Sequence, residues 1–119
     1  MEENREHCGP VRLTLKDGTL TALLTGEIDH HTAREMRETI DDTAVRVHPA
    51  RLVLDFSGVQ FMDSSGVGLI MGRCKLLASW QGRVIVQNIP PKLERIVSLA
   101  GLNTLCDVIK EGKLYEIDQ

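Results

Sequence analysis

The stretch Leu52 to Leu77, LVLDFSGVQFMDSSGVGLIMGRCKLL, constrains this chain more than any other. Leu52 to Phe56 is a short apolar run closed by Ser57 and Gly58, the pattern of a strand buried on both faces and therefore central in its sheet. After Phe61 and Met62, the residues Asp63, Ser64, Ser65 and Gly66 place three capping side chains and a glycine ahead of a new periodic segment. A helix is predicted to start at the serines. Val67, Ile70, Met71, Cys74, Leu77 and Ala78 recur at helical spacing and form the expected core stripe. Ser65, Leu69, Gly72 and Leu76 recur on the other side. That second stripe reads as an exposed docking ridge, in preference to a face covered by another element of the same chain. Ser64 and Ser65 sit where helix amides and the positive end of the macrodipole point, so a hydroxyl can cap there and a phosphate would be well received.

Upstream, Val11, Leu13 and Leu15 alternate with polar residues, and Asp17-Gly18 then signals a turn into the apolar run Leu20 to Thr25, which predicts a β-hairpin. Thr32 and Glu35 form a capping box ahead of Ala33, Met36, Ile40, Ala44 and Val47, so a first helix should run to about Val47 and end at His48-Pro49-Ala50. Downstream, a strand is expected over Arg83 to Gln87. A helix should follow Pro90-Pro91, with Leu93, Ile96, Val97 and Ala100 on its core face and Gly101 and Leu102 at its end. Leu105 to Ile109 should form a last strand. The order β-β-α-β-α-β-α-β implies an α/β domain with a mixed sheet, a hairpin followed by right-handed β-α-β units, and helices mainly on one face. One domain is expected over 1–119, with a polar N-terminal extension at about 1–10 and a tail at about 110–119 whose structure the residues leave open.

Composition narrows the function. With 42% hydrophobic and 26% charged residues, the chain reads as globular, and its apolar runs fall short of a membrane span. The opening MEENREHCGP is unlike a signal peptide, which predicts a cytoplasmic place. Net charge is −3 and only 3% of residues are aromatic, which argues against a nucleic-acid partner. Cys8, Cys74 and Cys106 show no zinc spacing and fit a reducing compartment, so no metal or other cofactor is expected. Asp29-His30-His31 lacks companion ligands at a metal spacing and reads as a solvated loop in which Asp29 or Thr32 caps the helix. A serine hydrolase could recruit Ser64 or Ser65 with His7, His30, His31 or His48, but the Gly-x-Ser-x-Gly elbow is missing.

Two segments carry a family resemblance. Leu24-Thr25-Gly26-Glu27-Ile28-Asp29-His30-His31-Thr32-Ala33 and Phe61-Met62-Asp63-Ser64-Ser65-Gly66-Val67-Gly68-Leu69-Ile70-Met71-Gly72-Arg73 resemble the anti-sigma factor antagonists, small members of the STAS family. The likeness is closest to the sporulation type. The resemblance implies a regulatory module and not an enzyme. Its unphosphorylated form would bind an anti-sigma factor that is also a serine kinase, releasing the sigma factor. Phosphorylation would turn binding off, and a serine phosphatase would reset it. Carried over by motif, the phosphorylated residue is Ser64, with Asp29, Asp63, Ser65 and Arg73 on the recognition surface beside the ridge residues Leu69, Gly72 and Leu76. A monomer is expected when free. A general-stress or other STAS regulator is the close alternative, and a small serine-dependent hydrolase the more distant one.

Overall fold

The computed structural model describes residues 5–99 and 107–110. Strand β1 (Arg5–Cys8) is followed by β2 (Val11–Lys16), β3 (Thr19–Ile28), helix α1 (His30–Val47), β4 (Arg51–Met62), α2 (Ser64–Ala78), β5 (Arg83–Ile89), α3 (Pro91–Leu99) and β6 (Asp107–Lys110). The six strands lie in sequence order in one sheet. β1, β2 and β3 pair antiparallel, whereas β3 to β6 run parallel through helical crossovers, which is the predicted mixed α/β architecture with one strand more. The added strand is β1, where the sequence had suggested only a polar extension. Its residues show no apolar alternation, so backbone pairing with β2 creates a strand that hydrophobic pattern could not announce.

The hairpin turns at Asp17 and Gly18, whose φ values of 52° and 77° are both positive, as a two-residue turn matching strand twist requires. β4 is central, flanked by β3 and β5, with Leu52, Leu54 and Phe56 buried toward the helices and Val53 buried on the opposite face beside Ile85. One core cluster joins Val11, Leu13, Leu20, Ala22 and Leu24 to Met36, Ile40 and Ala44 of α1, Ile70 and Leu77 of α2, and Leu93 and Val97 of α3. At the far end of the sheet Trp80 stacks on His48 at 4.1 Å and donates to the Pro49 carbonyl, tying the end of α2 to the end of α1.

β4 does not stop at Ser57-Gly58 as its composition suggested. Between the pairs Leu23↔Asp55 and Thr25↔Gly58, and again between Gly26↔Val59 and Glu27↔Phe61, β4 spends one residue more than β3. Each is a bulge. The Asp55 carboxylate holds the first, accepting from the Ser57 amide at 2.9 Å and from Asn88 Nδ2 at 3.1 Å. Gly58 fits because a Cβ there would lie 2.8 Å from Thr25 Cγ2 and 2.9 Å from the Leu24 carbonyl oxygen. Polar and glycine residues that look like a strand end are therefore the means by which β4 continues. The stretches 100–106 and 111–119 lie outside the described residues, and with them Ala100, Gly101, Leu102, Leu105 and the tail.

Candidate functional site

The two bulges set the site. They bring Met62 level with Ile28, so the adjacent parallel strands β3 and β4 end side by side, and the Asp63 amide donates to the Ile28 carbonyl at 3.1 Å. The next residue of each strand is an aspartate in extended conformation that caps a helix. Asp29 Oδ1 accepts from the Thr32 amide at 2.9 Å, and Asp63 Oδ1 from the Ser65 amide at 2.8 Å. The expected Thr32–Glu35 capping box is thereby corrected in its starting residue: Thr32 supplies the amide and Asp29 the side chain. That hydrogen bond from the Thr32 amide is the largest of the influences holding the Asp29 carboxyl below its ordinary value of 3.8.

Because Asp63 caps α2, neither serine hydroxyl is needed for that purpose. Ser64 is the first helical residue and is exposed, and among the described residues its hydroxyl has no hydrogen-bond partner. Ser65 is half-buried and faces a groove between α1 and α2 of about 600 Å³. His30, Ala33, Arg34 and Arg37 form its α1 wall. Ser65, Gly68, Leu69, Gly72 and Arg73 form its α2 wall and floor. Phe61, three residues before Ser64 in the chain, keeps half its surface in solvent. Among the described residues no hydrogen bond joins a histidine to either serine.

The ridge on α2 requires correction. Leu69 is only 4% exposed, and Arg73, assigned to the recognition surface, is 5% exposed. Leu76 is half-buried against the core, and Gly72 is half-buried at the groove. Conversely Met71 and Ala78, placed on the core stripe, are exposed, while Gly66, Ile70 and Leu77 are buried and Val67 and Cys74 half-buried. The cause is that α2 is covered twice, by the sheet and by α1. Covering both flanks rotates the buried arc away from the one a single partner layer would favour.

Arg73 is the residue whose role the sequence concealed. Its Nε stands 2.8 Å from Asp41 Oδ1 as an ionic contact without hydrogen-bond alignment. Nη2 donates to Asp41 Oδ2 at 3.1 Å and Nη1 to the Leu69 carbonyl at 3.2 Å. Burial dominates both titrations: it pushes the Asp41 carboxyl up from its ordinary value, and it lowers Arg73, against the attraction of each for the other. Asp41, Arg34 and Arg37 are groove and support residues that the sequence reading did not single out. The available signal was a charged Arg73 between Ile70, Cys74 and Leu77 on a face otherwise apolar, which calls for a buried counter-charge.

Comparison with known proteins identifies the family and the fold. The STAS domain model matches residues 11–115. The chain is 39% identical to the anti-sigma F factor antagonist of Paenibacillus polymyxa over 71% of this chain and 73% of that one. It is 29% identical to the anti-sigma-B factor antagonist of Bacillus subtilis (strain 168) over 71% and 76% of the two chains. Among solved structures it is similar to the anti-sigma factor antagonist SpoIIAA in its unphosphorylated form, with TM-score 0.75 and 29% identity over 87% of this chain and 89% of that one. The phosphorylated form of the Bacillus cell fate determinant SpoIIAA aligns with TM-score 0.67 and 30% identity over 87% and 92%. With a family model covering most of its length and a relative of this identity, the chain belongs to the STAS family, among its anti-sigma factor antagonists.

Proposed function

We propose that the unphosphorylated protein binds an anti-sigma factor that is also a serine kinase, and that phosphorylation of Ser64 ends the interaction. The observation that carries this reading is Ser64 itself: an exposed hydroxyl at the first position of α2, with its helix already capped by the neighbouring Asp63. A kinase can reach it without disturbing the fold, and the amides of the helix start favour the negative charge that results. That a relative has been solved in a phosphorylated form supports the same chemistry. Asp29, Asp63, Ser65 and the open end of the groove make up the recognition surface, with Leu69, Arg73 and Leu76 supporting it from beneath. Gly72 forms its wall.

The sporulation branch is favoured over the general-stress branch because identity is 39% to an anti-sigma F antagonist against 29% to an anti-sigma-B antagonist. In this reading the protein acts in the cytoplasm and a serine phosphatase resets it. The test is incubation with candidate serine-kinase anti-sigma factors and ATP, followed by phosphopeptide mapping. Phosphate should fall on Ser64, and Ser64→Ala should bind the kinase but resist modification. Label on Ser65, or on neither serine with every such kinase, would overturn the assignment.

A further inference from the structure

The groove between α1 and α2 has an electrostatic character opposite to that of the chain. Arg34 and Arg37 stand on its α1 wall and Arg73 lies at its floor. Two carboxylates face these three guanidinium groups: Asp41 takes Arg73 at 2.8 Å, and the exposed Glu38 is shared by Arg34 at 3.6 Å and Arg37 at 3.9 Å. The Glu38 contacts are long and solvated, so they hold neither arginine firmly. His30 and Ser65 mark the starts of both helices at one end of the groove, where the capping carboxylates of Asp29 and Asp63 offset the positive ends of the two macrodipoles, so the charge of the groove is that of its arginines. The residues that line the groove thus include three arginines and no carboxylate, on a chain of net charge −3.

The α2 wall is bare. Gly68 and Gly72 lie one turn apart, and a Cβ at either would meet nothing within 4 Å. Neither has a positive φ. Glycine inside a helix is destabilising relative to alanine, and neither packing nor backbone geometry within this protein calls for it at these two places. Its remaining use is to let an outside group approach the backbone of α2 closely.

From these two observations we infer that the groove seats an acidic segment of the anti-sigma factor. Its carboxylates reach Arg34 and Arg37, and its chain lies against Gly68 and Gly72 above Leu69. This rests on the proposed function and adds to it the chemistry of the partner and a contact surface that runs from the start of α2 along the groove. Glu38 would be displaced from two bidentate-capable guanidinium groups that water currently screens.

The test is calorimetric titration of the unphosphorylated full chain with the serine-kinase anti-sigma factor that modifies Ser64. Wild-type affinity should fall as NaCl rises from about 50 to about 300 mM. Arg34→Glu/Arg37→Glu should bind about tenfold more weakly or worse, with a flattened salt dependence. Gly68→Leu, whose side chain would enter the open groove, should weaken binding similarly while the melting temperature is kept. If wild type binds and both variants remain within about twofold of it, the groove assignment is overturned while the function stands. If the charge reversal changes only the self-association of the chain, the groove belongs to a second copy and the inference fails. If wild type neither binds nor is modified by any such kinase, the functional reading fails and this one with it.

Discussion

Arg73 reaches across from α2 to place its Nε 2.8 Å from Asp41 Oδ1 on α1, the one buried ion pair among the described residues. Its burial outweighs its attraction in both titrations, so the pair fixes how the helices sit more than it adds stability. Removing one partner strands the other charge. Asp41→Ala should therefore destabilise the protein by about 3 kcal/mol in urea denaturation, the low end of the range for buried pairs because Asp41 keeps some solvent contact. Asp41→Leu/Arg73→Met should recover most of that loss. A double variant less stable than Asp41→Ala would show that the pair is a net source of stability.

Leu69 distinguishes a ridge from a groove floor. Read as an exposed docking residue, Leu69→Glu would weaken partner binding and leave folding intact. With 4% of its surface exposed, the same change instead buries a carboxylate between α1 and α2 and should cost several kcal/mol, on the order of 3. Chemical denaturation of the variant decides between the two. Unchanged stability would restore the ridge.

Gly58 tests whether the bulges set the site. Gly58→Ala must push Thr25 or the Leu24 carbonyl aside, which should cost about 1 to 3 kcal/mol. If the bulge aligns the two capping aspartates, amide shifts should change at Asp29 and Asp63 as well as beside Gly58. Shifts confined to the immediate neighbours would separate the bulge from the site.

Acid titration should show opposite signs at two aspartates. Asp29 has a folded pKa below 3.8, so its contribution to stability is present above 3.8 and is lost as pH falls through the lowered folded value. Asp41 has a folded pKa above 3.8, so its contribution is most favourable below 3.8 and is lost as pH rises through the raised value. Carboxyl carbon NMR should place the Asp29 midpoint below 3.8 and the Asp41 midpoint above it. The stability difference between wild type and Asp29→Ala should shrink as the solution is acidified from neutrality. A constant difference down to the acid transition would contradict the cap.

Phosphorylation of Ser64 should leave the free fold nearly unchanged. A phosphate of about −1.5 to −2 charges meets the start of α2, a favourable place by about 0.3 to 1 kcal/mol, while the adjacent Asp63 carboxylate opposes it. The melting temperature should stay close to that of the unmodified protein, and backbone shifts should be confined to about residues 62–68, with kinase affinity greatly reduced. Ser64→Asp should mimic this only in part, having less charge and fewer acceptor oxygens. Shift changes spread across the sheet would argue for a conformational mechanism instead.

The alternation of Val11, Leu13 and Leu15, the Asp17-Gly18 turn and the apolar run at Leu52 are local patterns, and each produced the element the residues implied. So did the start of α2 at Ser64, because a cap and the first periodic residues lie within one turn of each other. The order of these elements then leaves few ways to arrange a sheet. What the tertiary structure decided were relations between residues far apart in the chain. β1 became a strand by pairing with β2, and Ser57-Gly58 became a bulge because β3 runs alongside. Asp29 and Asp63 became neighbours because two bulges equalised their strands. Leu69 and Arg73 were buried because α1 lies over α2 and brings Asp41 from 32 residues away. Helical periodicity reports that a face is apolar; which side is covered, and by what, depends on the packing of two helices on one sheet, a property of no single stretch of sequence.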